Sequence, residues 1–337
     1  MDDKQLNAMT AATSDTTGPA TGTASTWNVL TFDVEEWFHA ANLRVPRGQW
    51  GEFPSRLGQP VEEILSLLEQ HARQATFFVL GWVAQRRPDI VRRIAAAGHE
   101  IASHGYWHTP VTKQTREEFR QDVKGCKAVL EDITGHPIVG YRAPGYSVNS
   151  DNEWALDELK ELGFLYDSSI YPARAPHGRY GAAGTPLTPY RIRRGLWEFP
   201  LPTWEVMKVR LPAATGGYLR LCPLAVTERA LKQNIRRNIP VVVNIHPWEL
   251  DPVQPRWPAP WWNRALHYTN LHTTKHKLSA LLRAYRFTTV RNLLDKCHQH
   301  DAVLLREAEL PTTQIGPTPI TERPKKAKEE ETRAGTA

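Results

Sequence analysis

Two carboxylates, Asp33 and Glu35, stand at the end of a short apolar run and could act together on one reacting group. The apolar residues 28–30 before them predict a buried strand. Because side chains alternate between the two faces of a strand, Asp33 and Glu35 share one face, and Val34 points back into the core. An acid pair in this place is typical of a catalytic or metal-binding site. A capping acid beside ordinary surface charge is the alternative that this stretch alone leaves open.

Two histidines, His104 and His108, are four residues apart, a spacing that one helical turn closes. Gly105 and Pro110 predict a single turn within a loop rather than a long helix. Both imidazoles could then reach one ion. A carboxylate would complete three protein ligands with room for water, a set typical of catalytic zinc, although cobalt and nickel accept the same ligands. A pair of surface histidines is the alternative.

Three further polar side chains each stand just past the end of a predicted strand: Arg142, Asp167 and His246. In parallel α/β barrels the active site is built at that edge of the sheet. Alone, Arg142 could be a surface arginine and His246 a buried structural histidine. Together with the acids and the histidine pair, they predict one site.

Strands and helices alternate along most of the chain, which predicts a parallel α/β architecture. Strands are predicted at 75–80, 100–103, 138–141, 164–166, 197–201 and 241–245. Helices are predicted at 61–71, 89–97, 116–133, 152–162 and 225–235. The sequence contains no internal repeat and no glycine-rich phosphate loop, which argues against a nucleotide-binding fold.

Composition is that of a globular protein with 337 residues, 41% of them hydrophobic and 23% charged. The net charge is +6, but the basic residues are spread along the chain, so no nucleic-acid partner is predicted. The three cysteines are widely spaced, and no secretory signal or membrane-spanning run is present, so a cytoplasmic location is predicted. Residues 1–26 are predicted to be a disordered lead and residues 306–337 a disordered charged tail.

The motifs Asp-Val-Glu-Glu-Trp-Phe, Ser-His-Gly-Tyr-Trp-His, Arg-Ala-Pro-Gly-Tyr-Ser and His-Pro-Trp-Glu together resemble the polysaccharide deacetylase (NodB-homology) family. They are similar to the branch found in exopolysaccharide clusters with the exosortase/PEP-CTERM system. The resemblance covers about residues 27–300, within a catalytic domain at 27–305 whose family-specific C-terminal region begins near residue 200. It implies a distorted (β/α) barrel of the seven-stranded type and a divalent metal, most often Zn²⁺.

By this resemblance Asp33 would be the general base that activates water, and His104, His108 and a carboxylate would hold the metal. Many relatives carry two adjacent aspartates where this chain has Asp33 and Val34. Valine cannot bind a metal, so Glu35 would be the third ligand. The residues themselves leave open which of the two acids binds.

The remaining roles follow from the same resemblance. Arg142 would orient Asp33, and the amide of Gly145 would stabilise the oxyanion, because glycine stands where a tyrosine follows the proline in the common motif. His246 would be the general acid that protonates the leaving amine. Asp167 would pair with His246 and raise its pKa.

Four residues are predicted to contact the saccharide: Tyr146, Trp248, Tyr218 and Arg220. Tyr218 and Arg220 would suit an acidic or phosphorylated sugar. The late tryptophans are predicted either to form a platform for sugar rings or to pack a proline-rich lobe: Trp248, Trp257, Trp261 and Trp262.

The predicted function is removal of N-acetyl groups from an amino-sugar polysaccharide, or from its oligosaccharide precursor, in exopolysaccharide biosynthesis. The glycan is the expected partner, with peripheral association with membrane-bound synthesis machinery. Two alternatives remain: a cyclic imide or ureide amidohydrolase on the same scaffold, which a substrate panel would separate, and a catalytically inactive carbohydrate-binding relative, which would bind saccharide without releasing acetate.

Overall fold

The computed structural model describes residues 27–173, 181–182, 184–192, 195–299 and 307–308. The predicted disordered lead, residues 1–26, lies outside the described residues, as does most of the predicted tail. Two residues assigned to that tail, Glu307 and Ala308, form a short strand.

The described strands are β1 (Asn28–Val34), β2 (Thr76–Val79), β3 (Glu100–Ser103), β4 (Gly140–Tyr141), β5 (Tyr166–Asp167), β6 (Tyr190–Ile192), β7 (Trp197–Glu198), β8 (Thr203–Val206), β9 (Val209–Pro212), β10 (Val242–Ile245), β11 (Phe287–Thr288) and β12 (Glu307–Ala308). The described helices are α1 (Gly58–Gln70), α2 (Gly81–Arg86), α3 (Pro88–Ala96), α4 (Arg116–Thr134), α5 (Trp154–Glu161), α6 (Gly216–Leu221), α7 (Leu224–Arg236), α8 (Trp261–Tyr268), α9 (Thr274–Ala284) and α10 (Val290–Gln299).

Seven parallel strands form the central sheet in the order β10-β1-β2-β3-β4-β5-β7. β11 pairs with the start of β1, β6 runs antiparallel beside β7, and β12 extends the sheet beyond β6. Within the described residues, the two ends of the seven, β7 and β10, do not pair. The sheet is therefore a curled, open form of the predicted seven-stranded (β/α) barrel, and the predicted fold class is confirmed.

The sequence pattern accounts for the central strand and the longest helix. All seven residues of β1 are buried, as expected for a central parallel strand that has neighbouring strands on both sides. α4 begins at a capping box in which Thr115 and Glu118 bind each other's backbone amides, and it ends at Gly135 in the left-handed conformation. Each predicted strand and helix is present.

The C-terminal part of the chain packs against the start of the chain through one cluster of aromatic side chains. This cluster joins Trp37 and Phe38, just after β1, to Trp248 after β10 and to Tyr268 at the end of α8. The loop after β1 and the segment after β10 are therefore held side by side at one edge of the sheet. No helix in the described ranges has the length and apolar character needed to cross a bilayer.

Candidate functional site

The C-terminal ends of the parallel strands surround a cavity of about 380 Å³. β1 supplies Asp33, and Glu35 follows it directly; the histidines of the lining come from the segments after β3 and β10. The lining includes three residues predicted to be catalytic, Asp33, Gly145 and His246. It also includes the three predicted metal ligands, Glu35, His104 and His108, and three predicted saccharide contacts, Tyr146, Tyr218 and Trp248. Arg142 and Asp167 lie behind this surface, fully buried.

Glu35, His104 and His108 form the one group of potential metal ligands in the described part of the chain. One ligand atom from each lies within 4.8 Å of the others, and His108 Nε2 is 2.8 Å from Glu35 Oε2. Val34 is buried in the core, so the same-face prediction for the two acids is confirmed. A carboxylate and two imidazoles converging in a cavity fit a divalent metal such as zinc.

The neighbours of His104 prepare it to bind a cation. Its Nδ1 lies 2.9 Å from the carbonyl oxygen of Arg142, so Nδ1 carries the proton and donates, and the lone pair of Nε2 faces the cavity. Burial lowers the pKa of His104 to about 4, which keeps the ring neutral near pH 7. The predicted helical turn between the two histidines is absent: this segment is a loop in which Gly105 and His108 both have positive φ.

Asp33 is held by nitrogen donors on both of its oxygens. Arg142 Nη1 donates to Oδ1 at 2.9 Å, and Asn244 Nδ2 donates to Oδ2 at 2.8 Å. Oδ2 is also 3.8 Å from His246 Nε2. Burial alone would raise the pKa of Asp33, but the positive charge of Arg142 and the nearby histidines hold it below its usual value. The carboxylate is therefore ionised and firmly oriented.

Arg142 is a buried hub that joins four strands. Its Nε donates to the carbonyl oxygen of Ser168 at 3.0 Å and its Nη2 to the hydroxyl of Ser168 at 2.9 Å. Besides Asp33, Nη1 also donates to Thr31 Oγ1 and to Asn244 Oδ1, each at 2.8 Å. The sequence prediction included the contact with Asp33 but missed Asn244, which lies two residues before His246 and therefore on the same face of β10.

His246 is oriented by a carboxylate that the sequence prediction missed. Glu249 Oε1 lies 2.7 Å from His246 Nδ1, and Arg220 Nε donates to Glu249 Oε2 at 2.9 Å. On the cavity side, His246 Nε2 is 3.4 Å from Glu35 Oε1. Burial opposes protonation of the imidazole, but the charges of Glu35 and Glu249 raise the pKa of His246 to about 9. Glu249 lies three residues after His246, and this spacing in the sequence could have predicted the contact.

The predicted pairing of Asp167 with His246 is wrong. Asp167 Oδ1 instead accepts a hydrogen bond from Ser169 Oγ at 2.5 Å. Ser169 Oγ in turn accepts a hydrogen bond from the backbone amide of Ala143 at 2.7 Å. The other oxygen of Asp167 lies against the buried carboxyl of Glu198, and neither of these two facing oxygens meets a nitrogen donor. Asp167 therefore supports the segment that leads to Gly145 and does not touch the histidine.

The predicted contact between Arg220 and a saccharide is not supported, because this side chain is buried behind Glu249. Its remaining nitrogens donate to the carbonyl oxygens of Leu266 and Thr269. Trp248 does reach the cavity, but its Nε1 donates to Glu35 Oε1 at 3.1 Å, so it holds the acid rather than standing free as a platform.

The other late tryptophans differ in their surroundings. Trp257 packs against Phe53 in the aromatic cluster. Trp261 and Trp262 are largely exposed.

Two family models match adjacent parts of the chain. Residues 46–166 match the model described as polysaccharide deacetylase, and residues 168–295 match a domain of unknown function, DUF3473. A peptidoglycan deacetylase-like protein of Gibberella zeae is 33% identical over 168 residues, which are 48% of this chain and 48% of that protein. A peptidoglycan-N-acetylglucosamine deacetylase of Bacillus cereus is 35% identical over 97 residues, 28% of this chain and 35% of that protein. The region of residues 46–166 belongs to the polysaccharide deacetylase family.

The family assignment agrees with the fold. A crystal structure of a Mycobacterium smegmatis protein assigned to the polysaccharide deacetylases superimposes with a TM-score of 0.55 at 19% identity, covering 86% of this chain and 96% of that one. The match to each of the two curated relatives spans less than half of that relative's length. The family model begins after β1, so Asp33 and Glu35 lie outside its matched residues.

The metal-ligand geometry distinguishes the two acids experimentally. We expect Glu35→Gln to weaken Zn²⁺ binding by more than about 100-fold. Replacing a residue that only hydrogen-bonds to a metal ligand lowers metal affinity by up to about 100-fold, and loss of a ligand itself should lower it further. Asp33→Asn should bind Zn²⁺ as the wild type does, because Arg142 and Asn244 occupy the oxygens of Asp33. Isothermal titration with Zn²⁺ measures both. Equal losses in the two variants would make Asp33 a ligand.

The buried pair of Asp167 and Glu198 predicts a pH-dependent stability. Burial raises the pKa of both carboxyls, that of Asp167 to about 6, so the folded protein holds more protons than the unfolded chain. The pair's contribution to stability is complete below the ordinary carboxyl range near pH 4 and falls as the pH rises through the folded values.

In the wild type, Asp167 and Glu198 can form a hydrogen bond with each other only when one of the two carboxyls is protonated. In Glu198→Gln, the side-chain amide can donate a hydrogen bond to ionised Asp167, so no proton has to be shared. We therefore expect this variant to gain stability relative to the wild type as the pH rises from about 5 to about 8. Urea denaturation at several pH values measures the difference. A constant difference across this range would contradict the shared proton.

Proposed function

We propose that this protein is a metal-dependent deacetylase that hydrolyses the N-acetyl group of an amino sugar within a glycan. The observation that carries the proposal is the convergence, in one cavity, of an oriented carboxylate, three potential metal ligands and a histidine whose Nδ1 is held by Glu249. The names of the two curated relatives, a peptidoglycan deacetylase-like protein and a peptidoglycan-N-acetylglucosamine deacetylase, support the same reaction class.

Glu35, His104 and His108 would hold the metal, which we propose to be Zn²⁺. A divalent metal at this position supplies a Lewis acid that polarises the acetamide carbonyl and makes water a stronger nucleophile. Trp248 keeps Glu35 in place through its indole N–H, and the backbone carbonyl of Arg142 keeps His104 in the correct tautomer.

Asp33 would act as the general base. It is ionised, it lies in the cavity, and Arg142 and Asn244 fix both of its oxygens beside the ligand cluster. Water that loses its proton to Asp33 adds to the carbonyl carbon of the acetamide, and negative charge develops on the carbonyl oxygen. The amide of Gly145, which also lines the cavity, would donate to this oxygen.

His246 would act as the general acid. An amine is a poor leaving group, so the C–N bond breaks only when the nitrogen gains a proton. Glu249 accepts a hydrogen bond from Nδ1, which stabilises the protonated imidazole and points Nε2 into the cavity. The products are acetate and a free amino sugar.

We further propose that the substrate is a polysaccharide or its oligosaccharide precursor in exopolysaccharide synthesis, met by peripheral association with membrane-bound machinery. A cytoplasmic location agrees with the absence of a disulfide among the cysteines of the described residues. An imide or ureide hydrolase would use the same acid, base and metal, and a substrate panel separates the two reactions.

The test of the proposal is acetate release from a panel of N-acetylated oligosaccharides, with chelator and with added Zn²⁺. We expect release that requires the metal and that falls by about 10²–10⁴-fold in Asp33→Asn, because the variant lacks the general base but keeps the metal ligands. Zn²⁺ binding by the same variant is the control. Metal binding without acetate release from any member of the panel would refute the deacetylase and favour hydrolysis of an imide.

The contact between Glu249 and His246 makes a separate prediction. We expect Glu249→Ala to lower kcat by roughly 10–100-fold with little change in KM or in Zn²⁺ affinity, because it frees the ring of His246 but leaves the ligands intact. Glu249→Gln, whose amide oxygen can still accept from Nδ1, should recover part of the rate. Equal defects in the two variants, or a loss of Zn²⁺ binding, would contradict a positioning role.

A further inference from the structure

One short helix, α8, presents three large apolar side chains to solvent. In α8, Trp261 is 75% exposed, Trp262 is 58% exposed and Leu266 is 48% exposed. Single exposed apolar residues are common, but adjacent exposed tryptophans beside a cavity mark a binding surface.

This exposed surface continues from the candidate active site. Leu266 lines the cavity together with Tyr218 and Trp248. Trp262 is four residues before Leu266, so the two side chains lie on the same face of the helix, about one 5.4 Å turn apart. The rings of Trp261 and Trp262 are 5.9 Å apart at 81° to each other, so the indoles present two differently oriented faces.

The other side of α8 is firmly anchored. His267 is buried and stacks on Trp248 at 4.3 Å, and Arg220 Nη2 donates to the carbonyl oxygen of Leu266 at 2.7 Å. Asn42, which also lines the cavity, donates through Nδ2 to the carbonyl oxygen of Asn263 at 3.1 Å. These contacts fix the position of the helix relative to the cavity. The exposed tryptophans are not among the residues that anchor it.

The shape and chemistry of this strip suit a sugar chain. A pyranose ring has an apolar face of C–H groups that packs on an indole, while its hydroxyl groups stay in water. A strip that is one side chain wide and begins at the cavity mouth can follow a linear glycan from the sugar in the cavity to its neighbours. A membrane surface would need a broader apolar face than one turn of α8 presents.

We propose that Leu266, Trp262 and Trp261 form a binding subsite for the sugars next to the one that is deacetylated, so that oligosaccharides are preferred over single sugars. The proposal rests on the function proposed above, because it takes the reacting sugar to lie in the cavity. It names the preferred substrate class as a chain of several linked amino sugars.

The test compares kcat/KM for N-acetylglucosamine and for its β-1,4-linked oligomers up to the hexasaccharide. We expect the wild type to prefer the longer chains and Trp262→Ala to lose about tenfold or more on the hexasaccharide, as expected for one lost aromatic contact, with no change on the monosaccharide. Trp262→Phe should keep most of the preference. Trp27→Ala is the matched control, because Trp27 is also exposed but lies before β1, at the opposite edge of the sheet.

A binding measurement separates this proposal from the proposed reaction. In the Asp33→Asn protein, isothermal titration should detect the hexasaccharide, and adding Trp262→Ala should weaken its binding by a similar factor. Binding that depends on Trp262, without acetate release by the wild type, would refute the deacetylase and keep the subsite. Acetate release with equal efficiency on all chain lengths, unchanged by Trp262→Ala, would refute the subsite and keep the deacetylase. Absence of hexasaccharide binding, or a loss confined to binding of anionic lipid vesicles, would also refute the subsite.

Discussion

The ion pair between Arg142 and Asp33 is the interaction on which the site depends. Both side chains are buried, so each charge needs a partner and each remaining polar atom needs a hydrogen bond. Thr31, Asn244 and Ser168 satisfy the guanidinium, and they come from β1, from β10 and from the residue after β5. One buried cation thus fixes the ends of four strands relative to one another, and the carboxylate that it holds faces the metal-ligand cluster.

The site is shared between the two regions that the family models match. The first region contributes His104, His108 and Arg142, and the second contributes His246 with the residues that hold it. Asp33 and Glu35, on β1 and just after it, precede both matched regions, and β1 pairs with β2 of the first region and with β10 of the second. The second region therefore completes the proposed catalytic site, because the proposed general acid comes from it and its Trp248 holds the proposed ligand Glu35.

Two series of hydrogen-bonded side chains lie behind the cavity and hold residues that line it. Arg220 holds Glu249, which holds His246, and the same arginine fixes the end of α8 through carbonyl oxygens. On the other side, Asp167 and Ser169 hold the backbone that leads to Gly145. Both series consist of buried polar groups, which specify a single geometry because a polar group without a hydrogen-bond partner is destabilising in the interior.

The sequence by itself determined the seven parallel strands of the central sheet, five of the ten described helices and the residues at the strand ends, because hydrophobic periodicity and the spacing of two or four residues are local properties. It also indicated that Asp33 and Glu35 share a face. Only the tertiary structure decided which buried groups pair. Glu249, three residues from His246, takes the place that the sequence assigned to Asp167, which β1 to β4 separate from β10 along the sheet. Such pairings depend on distances between segments far apart in the chain, and no local pattern encodes them.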